Sequence, residues 1–402
     1  MTASFDPRGY QNSLREVVER LAALERAPGS DGEAEAARWI AERLTAAGAR
    51  AEIEPASYYD GYAKPILLLS AAAAAGGILS GRRRTRWIGG LGAAAAGLLI
   101  ADDIANTKRL FRKLSRPRAT QNVVAVAGDQ AAERTLVIFA HHDAARTGAI
   151  FDQSLQHKLG RLAPGVLERL DTSLPLWWLV LSGPGLAAYG GLRGCRRSAR
   201  IGTLLSLLSV LTMADVLRSP TVPGANDNAS AVAVLVALAE HLREQPVEGL
   251  RVMLVSCGAE EVIQGGIYSF AASHFPNLEL ERTWFLGLET LGSPILALLE
   301  GEGPVIMEDY PDKRFRDLVY RVAGELGVPL RRGLRARNST DAVVPAHHGY
   351  PTATLVSFDR AKALSNYHLM SDTAANINYE TIAQALLVSA GLVRELAANH
   401  WL

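Results

Sequence analysis

Residues 135–140, Thr-Leu-Val-Ile-Phe-Ala, carry no charge and no alternation of polar with apolar side chains, and the run stops at His141-His142-Asp143. A strand with one wet face alternates with period two. A run this uniform is covered on both faces, as in a parallel sheet held between two layers of helix. Strand-like runs recur at 51–54, 121–127, 250–256, 284–288 and 352–357. Helical periodicity fills the intervals. Residues 11–49 read as two amphipathic helices broken at Ala27-Pro28-Gly29-Ser30-Asp31-Gly32, with Ser30 or Asp31 able to cap the second. Further helices are expected at 228–242, after Gly265, around 315–326 and from 379 to about 399. The expected fold is α/β, a mostly parallel mixed sheet with helices on both faces.

Two segments break this rhythm. Residues 59–118 hold uncharged runs at 65–80 and 87–101, and residues 145–222 hold runs at 174–192 and 201–214. Arg82-Arg83-Arg84-Thr85-Arg86 joins the first pair and the arginines between 193 and 200 join the second, so each pair reads as an inserted apolar helical hairpin. The expected α/β domain is then 1–58, 119–144 and 223–402, with 59–118 and 145–222 inserted into it. At 14 to 19 residues the runs fall at or near the lower limit of the roughly 17–25 that span a bilayer. Their Ala and Gly content suits close helix packing. The flanking arginines, Trp177-Trp178 and the basic, apolar stretch Lys108-Arg109-Leu110-Phe111-Arg112-Lys113-Leu114 suit a lipid interface. The reading is membrane association through residues 65–118 and 174–214, with an apolar lid or a homodimer interface as the alternative. Met1-Thr2-Ala3-Ser4-Phe5-Asp6-Pro7 lacks the basic-then-apolar pattern of a signal peptide, which assigns any targeting to internal segments.

The net charge of +1, with 21% charged residues, provides no global field for nucleic acid or another polyanion. Cys195 and Cys257 are the only cysteines, which excludes a disulfide framework and a thiolate metal site. Chemistry must come from histidines and carboxylates.

In an open α/β sheet, ligands gather beyond the carboxyl ends of the strands. The run at 135–140 leads to His141-His142-Asp143, the run at 250–256 to Glu260-Glu261, and the run at 284–288 to Glu289. Tyr367-His368 follows the run at 352–357, and Asp227, in Gly224-Ala225-Asn226-Asp227-Asn228, immediately precedes a helix. Extended backbone places His141 and Asp143 on one face, where the carboxylate can orient the imidazole, and turns His142 away. His141, Asp227, Glu261, Glu289 and His368 offer oxygen and imidazole without sulfur, which suits Zn²⁺ or a related divalent ion. An Asp227 that bridges two ions leaves each with one His and one further carboxylate. Glu260, expected to point away from its neighbour Glu261, is then free to act as a general base.

These pieces resemble the M28 metallopeptidases, the co-catalytic zinc aminopeptidases and their relatives. The resemblance rests on Arg26-Ala27-Pro28-Gly29-Ser30, His141-His142-Asp143, Gly224 to Asn228, Gly258-Ala259-Glu260-Glu261, and Tyr367-His368-Leu369-Met370-Ser371-Asp372-Thr373. It covers about 1–58, 119–144 and 223–402. It implies a zinc-peptidase-like three-layer fold, one zinc held by His141, Asp227 and Glu289, and another by Asp227, Glu261 and His368. It further implies Glu260 as base and Tyr367 as hydrogen-bond donor to the tetrahedral oxyanion. Asp341, in Ser339-Thr340-Asp341, matches a further family signature. Where the family usually has Asp, this chain has Glu289, one methylene longer, so a single-zinc enzyme is the alternative. The expected activity is removal of N-terminal residues from peptides. The competing readings are a single-zinc acyltransferase like the glutaminyl cyclases, and a non-catalytic, membrane-linked binding module on a peptidase scaffold.

Overall fold

The computed structural model describes residues 6–59, 61–165, 169–173 and 175–398. Expectations for the first five residues, for Leu174 at the start of the third apolar run and for Asn399 at the end of the last helix lie outside the described residues. Strands β1 (Arg50–Tyr58), β2 (Arg118–Gly128), β3 (Thr135–His141), β4 (Arg251–Cys257), β5 (Thr283–Glu289), β6 (Ile295–Glu302), β7 (Glu308–Asp309), β8 (Arg331–Ala336) and β9 (Thr352–Phe358) form one sheet. Its order is β1-β2-β4-β3-β5-β9-β6-β7, with β8 beside β6. The central strands β4, β3, β5 and β9 run parallel. Both flanks turn antiparallel, at β1-β2-β4 and at β9-β6-β7.

Alternate residues of β3 divide the interior in two. Leu136, Ile138 and Ala140 join a core with α1 (Gln11–Ala22), α2 (Asp31–Ala46) and three helices from later in the chain, whereas Val137 and Phe139 face a second core on the other side. This is the period of two acting on a strand whose two faces are both dry. Ser30 caps α2, its hydroxyl accepting from Glu33 N at 3.1 Å.

Residues 59–118 form α3 (Ala63–Ser80) and α4 (Arg86–Ile104), and residues 145–222 form α5 (Ser154–Leu162), α6 (Leu176–Arg193) and α7 (Arg196–Arg218). Each segment leaves and returns through a closed stem. Tyr58 pairs with Arg118 across β1 and β2, and Val222 N donates to Ala145 O. The two expected hairpins do not stay apart: α3, α4, α6 and α7 pack as one four-helix bundle. Small residues permit it. A Cβ on Gly191 of α6 would lie 2.5 Å from Arg86 O and 2.6 Å from Gly90 Cα of α4, and one on Gly77 of α3 2.2 Å from Thr203 Oγ1 of α7, so the hairpins meet where side chains would otherwise separate them. The outer surface is apolar, with Ile88, Leu98, Leu179, Leu204 and Leu211 all more than 60% exposed. Three of the four helices, α3, α4 and α7, are long and apolar enough to cross a membrane.

The remaining helices are α8 (Ser230–Glu244), α9 (Gly265–His274), α10 (Lys313–Glu325), α11 (Val343–His347) and α12 (Tyr379–Ala397). Of these, α8, α10 and α12 complete the first core, and α9 and α11 cover the second.

Candidate metal centre

The centre lies at the carboxyl ends of the parallel strands. His141 ends β3, Glu289 ends β5, Glu260 and Glu261 follow β4, and His368 lies in the loop after β9. Asp227 sits in the turn 225–229 that opens α8. That turn requires Gly224, whose φ is +63° and whose added Cβ would meet Asp227 O at 2.5 Å. Asp372 fixes the turn from one side by accepting from Asn226 N and Asp227 N at 2.7 and 3.1 Å. Arg26, fully buried, fixes it from the other by donating to His142 O, Pro223 O and Gly224 O at 2.7 to 2.9 Å.

The structure brings all five predicted ligands together. Asp227 Oδ1 lies 3.2 Å from His141 Nε2, and its Oδ2 lies 3.2 Å from His368 Nε2. Glu289 Oε1 is 3.5 Å from His141 Nε2, and Glu261 Oε2 is 3.1 Å from His368 Nε2. Three overlapping sets result among the described residues: His141, Asp227 and Glu289; Asp227, Glu261 and His368; and, between them, His141, Glu260 and Glu261. Two donors bound to one tetrahedral zinc at about 2.0–2.2 Å stand about 3.4 Å apart, so these spacings suit a shared ion. Two carboxylate oxygens, Asp227 Oδ2 and Glu261 Oε2, lie within 3.2 Å of His368 Nε2. An imidazole nitrogen and two carboxylate oxygens this close together offer the donor set that a divalent cation takes.

Charge leads to the same reading. Asp143, Asp227, Glu260, Glu261, Glu289 and Asp341 crowd around two imidazoles in a buried site. Burial raises Glu260 well above the usual carboxylate range, and Asp341, Glu261 and Glu289 raise it further against the pull of His141. Burial and the charges of Glu289 and Asp143 push Asp341 up to about 8. For His141, burial alone would lower the imidazole, but Glu289, Asp143 and Asp227 lift it well above its ordinary value. Such an excess of buried negative charge is relieved by a divalent cation.

Asp143 holds the site on two sides. Its Oδ1 lies 3.3 Å from His141 Nδ1, and its two oxygens accept from Glu260 N and Glu261 N at 3.0 Å each. His142 points away and is buried, its Nδ1 2.9 Å from Ser256 Oγ. One expectation is corrected: Glu260 does not point away from Glu261. Both reach the cluster, Glu260 Oε2 lying 3.9 Å from His141 Nε2. The pair sits on a turn after Ala259, whose φ is +53°, so the alternation of an extended strand does not apply. Tyr367 stacks on His368 at 3.8 Å, and burial with the charges of Asp227, Glu261 and Glu260 raises its phenol well above the ordinary value, which keeps it protonated.

Residues not assigned from the sequence complete the arrangement. Gln264 Nε2 donates to Glu260 Oε1 at 2.9 Å, and its Oε1 accepts from Asn106 Nδ2, just past α4, at 2.8 Å. The bundle is thereby tied to Glu260 through two amides. A second tie is a buried pair, Arg112 with Asp103 at 2.7 Å, from which Arg112 Nη1 also donates to Val262 O. The bundle further supplies one wall of the cleft over the cluster, with Tyr62, Ile104, Trp177, Val180 and Met213 facing Glu260, Glu261, Tyr367 and His368. Beyond Phe151 the cleft continues between α5 and the sheet edge at Leu299 and Leu334.

A comparison with curated protein sequences finds no significant match. Among solved structures the fold is similar to an aminopeptidase from Aneurinibacillus sp. strain AM-1, at a TM-score of 0.58 and 15% identity over 96% of this chain and 94% of that one. It is also similar to a zinc aminopeptidase from Bacillus subtilis, at 0.55 and 14% over 97% and 95%. A glutaminyl cyclase from Tannerella forsythia is similar at 0.56 and 15% over 96% and 98%. The sequence model of peptidase family M28 matches residues 209–393, the part that supplies Asp227, Glu260, Glu261, Glu289 and His368. That match, over a little under half of the chain, together with this fold makes the chain similar to the M28 peptidases.

Proposed function

We propose that the chain is a zinc-dependent exopeptidase that removes N-terminal residues from peptides. The observation that carries the reading is Asp227, whose two carboxylate oxygens each face a different histidine at 3.2 Å, with Glu260 beside the pair. His141, Asp227 and Glu289 would hold one ion and Asp227, Glu261 and His368 a second. When bound, zinc supplies Lewis acidity toward the scissile carbonyl and lowers the pKa of the attacking water. Glu260 takes the proton from that water and returns it to the leaving amine. Tyr367 donates from its phenol to the developing oxyanion. Asp143 orients His141 and, through two backbone amides, the Glu260–Glu261 turn. The longer side chain of Glu289 does not fall short, since its Oε1 comes within 3.5 Å of His141 Nε2.

In this reading residues 59–118 and 145–222 are insertions into a peptidase domain. Their bundle associates with a membrane, because its outer face is apolar and three of its helices have the length of a span.

The test is Glu260→Gln assayed on a panel of aminoacyl amides together with metal analysis. Turnover is expected to vanish with metal content unchanged, and retained turnover would overturn the assignment. Pyroglutamate formation with one metal per chain would favour the cyclase-like reading instead.

A further inference from the structure

The bundle has two unlike ends. The chain enters and leaves it beside the metal cleft, so the links 81–85 and 194–195 lie together at the far end, where Arg86 Nη1 reaches Gly191 O and Leu192 O at 3.2 and 3.3 Å. That tip carries four arginines between 82 and 86 and four between 193 and 200, with no Asp or Glu in either stretch. None of the eight pairs with a carboxylate among the described residues. The near end is also basic, with six cations between 108 and 118, but carboxylates stand among them: Arg112 is buried on Asp103, Arg109 lies 3.7 Å over the Tyr268 ring, and Asp102 and Asp215 are nearby. Trp87 flanks the tip and Trp177 and Trp178 flank the near end, an aromatic residue at each boundary. Helices of 18, 19, 18 and 23 residues run about 27–35 Å at 1.5 Å per residue, against about 30 Å of hydrocarbon.

We propose that the bundle crosses the bilayer with its arginine tip among the anionic phospholipid headgroups of the cytoplasmic leaflet, leaving the metal cleft on the opposite side of the membrane. Short loops rich in Arg stay cytoplasmic, whereas long segments such as 105–175 and 219–402 cross largely regardless of their charge. The negative potential of the cytoplasmic leaflet holds the unpaired guanidinium groups.

The inference rests on the membrane reading above, and a native residue tests it separately. Cys195 is half-buried in the tip and Cys257 is fully buried, so one thiol is within reach of a reagent. The hydroxyl of Ser198 holds the Cys195 thiol below its ordinary pKa, which favours the reactive thiolate. Spheroplasts of a bacterial host that express the full chain are treated with a membrane-impermeant maleimide. Cys195, and Arg83→Cys in a Cys195→Ser background, are expected to react only after permeabilisation. Glu279→Cys on the peptidase surface, in the same background, is expected to react in intact spheroplasts. The reverse pattern overturns the proposal, as does labelling of both ends from one side or a tip that resists labelling after permeabilisation. Release of the protein by an alkaline carbonate wash would instead sink the membrane reading itself, whatever the labelling.

Discussion

Replacing Gln264 with Ala should slow turnover without weakening substrate binding. The Gln264 amide donates to Glu260 Oε1 at 2.9 Å in a buried site, and the same nitrogen donates to Ser339 O at 3.0 Å, so the amide is clamped from both sides. A hydrogen bond to a charged group contributes about 1.5–3 kcal/mol, and in the proposed reaction this bond would hold Glu260 in place while it accepts and returns a proton. At about 1.4 kcal/mol per factor of ten, the expected loss is roughly 10- to 150-fold in kcat. KM should stay nearly constant, because Gln264 acts on Glu260 and not on the substrate. Asn106→Ala leaves Gln264 Oε1 without its donor and should cost about 1 kcal/mol, near fivefold, by loosening the same amide at one remove. The assay is steady-state hydrolysis of an aminoacyl p-nitroanilide, with metal content measured on the same samples. An unchanged kcat would refute the positioning role. So would a rise in KM at constant kcat, which would make Gln264 a substrate contact, or a parallel loss of metal, which would make it a support for the ligands.

Chelation should abolish activity and lower the melting temperature, since a ligand that binds only the folded chain stabilises it by about 4 kcal/mol at a thousand times its Kd; restored zinc should recover both. Glu289→Ala and Glu261→Ala should each remove one metal equivalent, measured by atomic absorption, and loss of both ions from either variant would refute two separable sites. His241, buried against Tyr10 and Arg394, is held down to about 4 by burial and by the Arg394 charge. Between that value and its ordinary 6.5 the unfolded chain binds the proton and the folded chain does not, so stability is lost as pH falls through that window, by up to about 3 kcal/mol. Urea midpoints at pH 7 and pH 4.5 should show the loss in the parent chain and less of it in His241→Gln. In the bundle, Gly202→Ala should destabilise the detergent-solubilised protein by about 1–3 kcal/mol because its Cβ would overlap Ala187 N, whereas Gly92→Ala, with nothing within 4 Å, should stabilise it slightly in a thermal melt.

Three of the five candidate ligands were legible from local pattern because they follow the end of an apolar run, whereas Asp227 and His368 lie in turns and were picked out by the motifs around them. His141, Glu289 and the Glu260–Glu261 pair needed only that reading. The direction of Glu260 was misread because Ala259 adopts a positive φ that nothing in the local pattern announces. Arg26 was legible as part of a motif but not as a brace, since its partners at 142, 223 and 224 are remote in sequence. Gln264 and Asn106 lie 158 positions apart and meet only through the packing of an insertion against the sheet. Strand β6 was not marked. Its residues resemble the apolar runs around them, and only pairing with β9 distinguishes it as an antiparallel flank. The hairpins were visible as apolar segments, but their union depends on glycines placed opposite one another on different helices.

The closed stem of the first insertion bears on how such a protein is divided by evolution or by an engineer. Tyr58 and Arg118 are paired neighbours across two antiparallel strands, so a two-residue turn can replace everything between them with the sheet left in register. That excision removes Asn106 from Gln264 together with Tyr62 and Ile104 from the cleft wall, while all five candidate ligands stay on the remaining chain. The segment is therefore modular in its joints but not in its contacts: a trimmed chain can keep every candidate ligand and still lack part of what positions Glu260.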